Sequence, residues 1–154
     1  MKMISQGQGD MSYGLINWMG IEIVVLYAAV WDYKRRIIPN RVSVILLLFG
    51  MLGAIFMPAD NPAYCQLSDR LIGALLPALT LIGIYQFDKR IGGGDLKMLT
   101  SLGFSLGMYA LVPILLVTTL SAFIWSRNKE QNSVPLAVFL AMSVTVYFIL
   151  MKIV

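Results

Sequence analysis

Long apolar stretches separated by short polar segments leave this chain few ways to fold. Of its 154 residues 58% are hydrophobic and only 13% are charged, too little polar material to clothe a water-soluble globule. A hydrocarbon core roughly 30 Å thick is crossed by about 20 helical residues, and in lipid every backbone N–H and C=O must find its partner within the protein. The sequence therefore predicts an all-α fold, a polytopic transmembrane helix bundle with about six spans at residues 14–31, 41–58, 70–87, 95–107, 109–126 and 134–151. No linker or low-complexity tract separates them, so residues 1–154 read as a single transmembrane domain.

The fourth stretch is the irregular one. From Asp95 to Gly107 a helix rises only about 20 Å, short of a full crossing. Joining residues 95–126 into one long tilted helix would leave five spans, but Gly103, Gly107 and Pro113 interrupt that stretch and favour six. Gly103-x-x-x-Gly107 is a small-xxx-small pattern suited to close helix packing.

Charge orients the bundle. The loops around 32–41, 88–97 and 126–133 hold Lys34, Arg35, Arg36, Arg41, Lys89, Arg90, Lys97, Arg127 and Lys129, nine of the twelve basic residues. By the positive-inside rule these loops are cytoplasmic, and the opposite face keeps Lys2, Arg70 and Lys152 with both termini and the loop 58–69. The same charges attract anionic headgroups, so membrane lipid is an expected partner, whereas no nucleic-acid partner is implied. No small-x-small site follows the first apolar run before Trp31-Asp32-Tyr33, so the run reads as a retained span and not a cleaved signal.

Little reactive chemistry is available. The chain has no histidine and one cysteine, Cys65, which falls in the outer loop and is expected to be open to an impermeant thiol reagent. That set argues against a metal site and against Ser-His or Cys-His nucleophiles. Acids remain. Asp32 and Asp95 each stand where an apolar stretch meets a basic segment, on the same predicted face, and a carboxylate near hydrocarbon is costly enough to point to function. Two such acids suggest a dyad that activates water, one carboxyl ionised and the other protonated. Asp95 closes the run Gly92-Gly93-Gly94-Asp95, begins a helix and can cap its free N–H groups. Asp32 lies near the carbonyl end of the first span, where an anion is disfavoured, so local helix dipoles would put the shared proton on Asp32 and make Asp95 the base.

Glu22, inside the first span, is expected to face the bundle and find a hydrogen-bond partner, and Asp88 reads as surface. A competing reading is a non-enzymatic transporter or secretion-system subunit whose paired acids bind protons or cations. Transport acids belong near the midplane, however, and both aspartates here lie near one surface.

Asp32-Tyr33-Lys34-Arg35-Arg36-Ile37-Ile38-Pro39-Asn40, followed by Gly92-Gly93-Gly94-Asp95-Leu96-Lys97, resembles the type IV prepilin peptidases, the GxGD-type aspartic proteases of bacterial membranes. That family has an Asp seven residues before a Pro-Asn pair, then a glycine-rich loop ending in a second Asp, and usually a Lys two residues later. The resemblance implies that Asp32 and Asp95 are catalytic, that Gly92 and Gly94 are the motif glycines with Gly93 between them, and that Pro39 and Asn40 belong to the active-site loop. Glycines there would let the backbone approach an extended substrate strand. The resemblance assigns no cofactor. Its implied partner is a prepilin or pseudopilin precursor, whose short basic leader would be removed at the cytoplasmic face of the bacterial inner membrane. Longer members carry an N-terminal cytoplasmic region, often with paired Cys-x-x-Cys motifs, in connection with N-methylation; this sequence goes almost at once into its first span, so the resemblance is expected to be to the short form. The late segment Val134-Pro135-Leu136-Ala137 also departs from the pattern, since many members have an aromatic residue and glycine after the proline.

Overall fold

The structure, a computed structural model, describes residues 3–56, 65–87, 93–128 and 136–153. These residues form six helices: α1 (Met3–Arg35), α2 (Asn40–Phe56), α3 (Leu67–Phe87), α4 (Gly93–Leu106), α5 (Met108–Asn128) and α6 (Leu136–Ile153). Each predicted span has its helix, in order, and among the described residues there is no strand.

The largest difference from expectation lies in α1, whose 33 residues begin at Met3 instead of 14 and run past 31 to Arg35. Asp32 therefore sits in the last helical turn and not in a loop. What stops α1 is local: Pro39 excludes Ile38 from the helical region, and Arg36 takes a left-handed conformation with φ 54. In that conformation the Arg36 N–H bonds to the Asp32 carbonyl at 2.9 Å and closes the helix end. Glycine usually fills such a position, and an L side chain there costs on the order of 1–2 kcal/mol.

Six helices prevail over five because of Gly107. This one residue, at φ +79, separates α4 from α5, whereas Pro113 lies within α5 without ending it. The chain reverses there: α4 begins beside Asn40, and α5 ends where Trp125 meets Phe139 of α6 edge-on at 5.9 Å. The adjacent residues Asp69 and Arg70 of α3 hold the turn. Asp69 Oδ1 accepts the Met108 N–H at 3.1 Å, a cap at the positive end of α5. Arg70, only 1% exposed, donates to the carbonyls of Ser105 at 2.9 Å, Phe104 at 3.4 Å and Gly50 at 3.1 Å, satisfying the last carbonyls of α4. The expectation of Arg70 as a surface topology charge is thus corrected: it is a buried brace. Cys65 joins the same cluster, its thiol donating to Asp69 Oδ2 at 2.7 Å. Burial, reinforced by that bond and the negative charge of Asp69, pushes the thiol up to about 12.

Helices α3 and α4 approach closely through Gly73 and Gly103. Pro77 has no N–H, so the Gly73 carbonyl one turn earlier loses its helical donor. That carbonyl faces Gly103, where any Cβ would strike it, and a Cβ on Gly73 would lie 2.6 Å from the Gly103 oxygen. Antiparallel α1 and α6 pair along their length: Trp18 stacks on Tyr147 at 5.8 Å, and Glu22 Oε1 accepts from the Thr145 hydroxyl, the partner its sequence position called for. Buried hydroxyls tie other helices, Ser105 to the Leu46 carbonyl at 2.6 Å and Thr118 to Ser143 at 3.0 Å.

A slim core of Ile21, Val25, Val42, Leu46, Met98, Leu102, Ile114, Leu140 and Val144 runs down the bundle axis. Outside it the apolar side chains point outward: Ile23, Ile55, Leu79, Leu116 and Leu120 are each more than half exposed. Among the described residues Gly14–Arg35 and Met108–Trp125 are long and apolar enough to cross a membrane, and Asn40–Phe56 and Leu136–Leu150 are shorter apolar helices. Apolar surface on this scale, carried outward by an already packed bundle, is that of a membrane protein.

Candidate active site

One end of the bundle gathers the last turn of α1 and the first turns of α2, α4 and α6. There Asp32 and Asp95 line a single cavity of about 260 Å3 together with Arg36, Ile37, Ile38, Asn40 and Gly94. Arg36 is the one basic residue in that lining, and the same end of the bundle carries the exposed side chains of Lys34, Arg35, Arg41 and Lys97. Lys89, Arg90, Lys129 and Asp88 lie outside the described residues, as does Gly92.

The two acids are held differently. Asp32 is 7% exposed and its Oδ2 accepts the backbone N–H of Ala137 at 3.2 Å. Ala137 is the second residue of α6, so its N–H is one of those a helix start leaves unsatisfied. Asp32 therefore also faces the positive end of α6, a neighbour that the sequence reading of the carbonyl end of α1 did not include. Asp95 is half-buried and third in α4, within the first turn of a helix that begins at Gly93. At Asp32 the carbonyl end of α1 and the N–H end of α6 therefore act in opposite senses, while Asp95 lies at the N–H end of α4.

Packing separates the glycines. A Cβ at Gly94 would lie 3.2 Å from Cβ of Ile38, so this glycine lets α4 start against the α1–α2 turn. Around Gly93 a Cβ would meet nothing within 4 Å among the described residues, which leaves space there beside Asp95. Pro39 and Asn40 play unlike parts. Pro39 ends the turn and offers its carbonyl to the Val42 N–H at 3.0 Å, while Asn40 Oδ1 accepts from Lys97 Nζ at 3.2 Å and ties α2 to α4 beside the cavity. Among the described residues no three His, Cys, Asp or Glu side chains come together.

Sequence reasoning missed two contributors. Ala137 acts through its backbone, and its one signal was a position two residues after Pro135 at the start of the last span. Ile38 forms the floor against Gly94, and nothing distinguished it from other apolar residues.

Comparison with known proteins follows the same residues. The model of the type IV leader peptidase family matches residues 19–127. A prepilin leader peptidase/N-methyltransferase of Aeromonas salmonicida is 27% identical over 157 aligned residues, covering 91% of this chain and 49% of its own length. The protein of the same name from Pectobacterium carotovorum is 30% identical over 80% of this chain and 47% of its own length. A preflagellin peptidase of Methanococcus maripaludis is 34% identical over 58% of the chain and 35% of its own length. The chain spans about half the length of the bacterial relatives it matches. No solved structure matches it.

Proposed function

Because this chain belongs to the type IV leader peptidase family, we propose that it is a membrane aspartic endopeptidase that removes the short basic leader of prepilin-like or pseudopilin-like precursors. Asp32 and Asp95 are its catalytic pair in this reading, and their shared cavity is the observation that carries it. One carboxylate takes a proton from water as its oxygen attacks the scissile carbonyl. The other, protonated, donates a hydrogen bond to that carbonyl and then its proton to the leaving amine. The C–O bond to water forms first, giving a tetrahedral adduct, and the peptide C–N bond breaks as the leaving nitrogen takes up the proton, so no covalent enzyme intermediate arises.

Ala137 orients Asp32 by fixing one oxygen, and the Lys97–Asn40 bond steadies the first turn of α4 that carries Asp95. The space at Gly93 suits an extended peptide passing the pair. Basic side chains crowd this end of the bundle, which supports a cytoplasmic orientation in the bacterial inner membrane for a multi-pass chain. A substrate whose apolar helix lies in the bilayer would then present its leader junction at the level of the pair. Acids at helix ends fit this chemistry better than ion transport through the midplane.

Co-expression with candidate prepilin-like precursors, with leader removal followed by gel shift, tests the proposal. Asp32→Asn and Asp95→Asn should each abolish cleavage while the protein still inserts into the membrane. Near-normal processing by Asp32→Asn would sink the assignment, because an amide cannot exchange the required proton.

A further inference from the structure

On the outer side of the α1–α2 junction lies a second hollow of about 410 Å3, walled by Tyr27, Trp31 and Arg35 of α1, by Arg41 of α2 and by the turn between them. We propose that it binds the headgroup phosphate of an anionic phospholipid. The Arg35 guanidinium lies over the Trp31 ring, 4.5 Å from its centroid, and the Tyr27 ring sits 6.1 Å from Trp31. Stacking occupies the flat face of a guanidinium and leaves its N–H edges for an acceptor. Arg41 is exposed, and among the described residues it has neither a hydrogen-bond nor an ion-pair partner. Two guanidinium groups at one hollow match a phosphodiester, which accepts paired N–H donors.

Position identifies the source of that phosphate. The hollow lies at the last turn of α1 and the first turn of α2, the level at which tryptophan and tyrosine settle at a membrane interface. From it two apolar stripes descend at helical spacing, Tyr27 to Ile23 on α1 and Arg41 to Ile45 and Leu48 on α2, all exposed. Acyl chains can lie along those stripes, and a soluble phosphate would gain nothing from them. A topology signal needs only charge. It does not need a stacked guanidinium, aromatic walls or a hollow. Ile37 and Asn40 line both this hollow and the Asp32–Asp95 cavity, so a bound lipid would rest against the outer side of the wall whose inner side faces the two acids. The inference stands apart from proteolysis and is read by binding alone.

The test uses the full chain in dodecyl maltoside, titrated with phosphatidylglycerol and followed by native mass spectrometry and by the thermal unfolding midpoint. Saturable binding is expected, with phosphatidylcholine, glycerol 3-phosphate and inorganic phosphate each far weaker. Arg35→Gln and Arg41→Gln should each weaken binding roughly tenfold, as expected for the loss of a hydrogen bond to a charged group. Lys34→Gln, exposed but outside the hollow, should leave binding unchanged. Arg41→Gln removes no contact among the described residues, so the folded protein remains available for titration if the other variant is unstable. Undiminished phosphatidylglycerol binding by Arg41→Gln would overturn the site. Binding of glycerol 3-phosphate as tight as that of the lipid would overturn the lipid assignment.

Discussion

Asp32 shows how a side chain proposed as catalytic can be held by a residue with no functional group. Its carboxylate is gripped by the Ala137 N–H, 105 positions away in sequence, at the start of the helix that pairs with α1. Replacing Ala137 by proline removes that donor at a point in the first helical turn where no intrahelical bond is lost. The expected outcome is a fall in kcat of roughly ten- to hundredfold, the weight of a hydrogen bond to a charged group, with KM little changed and the protein still folded. Steady-state cleavage of a precursor by Ala137→Pro measures it, and an unaltered kcat would show that the bond does not orient Asp32. The aspartates themselves were legible in the sequence because ionisable groups beside hydrocarbon are expensive and these had no other use. Ala137 was not legible, because a backbone donor leaves no mark on residue type.

At the scale of helices, α4 depends on neighbours at both ends. It contains only 14 residues, so it cannot rely on a full span of lipid-facing apolar surface for its position. Arg70 bonds the α4 carbonyl end from within the bundle. Arg70→Met should therefore cost ~2 kcal/mol or more, since buried carbonyls lose a charged donor, and Arg70→Lys should recover only part of this because a single ammonium cannot span the same acceptors. Thermal unfolding in detergent provides the measurement, and a neutral Arg70→Met would return the residue to a topology role. The six helices could be read from apolar length and from Gly107. The role of Arg70 could not, because a lone arginine near the start of a span looks the same whether it meets water or the carbonyls of Cys65, Gly50, Phe104 and Ser105.

For the whole molecule, the two ends differ in chemistry. The exposed Tyr33 marks the basic end with the two aspartates, and the exposed Tyr109 marks the end that holds Asp69, Arg70 and Cys65. In a Cys65→Ser background, Tyr109→Cys should react with an impermeant maleimide applied outside cells, and Tyr33→Cys only after permeabilisation. The reverse pattern would invert the proposed orientation. Native Cys65 is no longer the reporter that its loop position suggested. Its thiol is half-buried, donates to Asp69 and is pushed up to about 12, so at neutral pH it should label far more slowly than either introduced cysteine. The sign of the pH effect follows. The protonated thiol is favoured in the folded state, so its contribution to stability is complete below the ordinary cysteine value near 9.0 and fades as pH rises towards 12.

The double attachment of α4 also sets its permissible length. One end is bonded to Asn40 through Lys97 and the other to Arg70 through Phe104 and Ser105, with the Gly73–Gly103 contact between. An extra residue inserted between Leu99 and Leu102 would rotate everything on one side by about 100° and shift it by about 1.5 Å. Such an insertion could keep the grip of Arg70 or the alignment of Asp95 with Asp32, but not both. A single alanine inserted there should abolish precursor cleavage in a protein that still reaches the membrane, whereas one inserted near the start of α1 should leave cleavage intact. The helix works as a gauge block: its length is the dimension by which one carboxylate is set against the other.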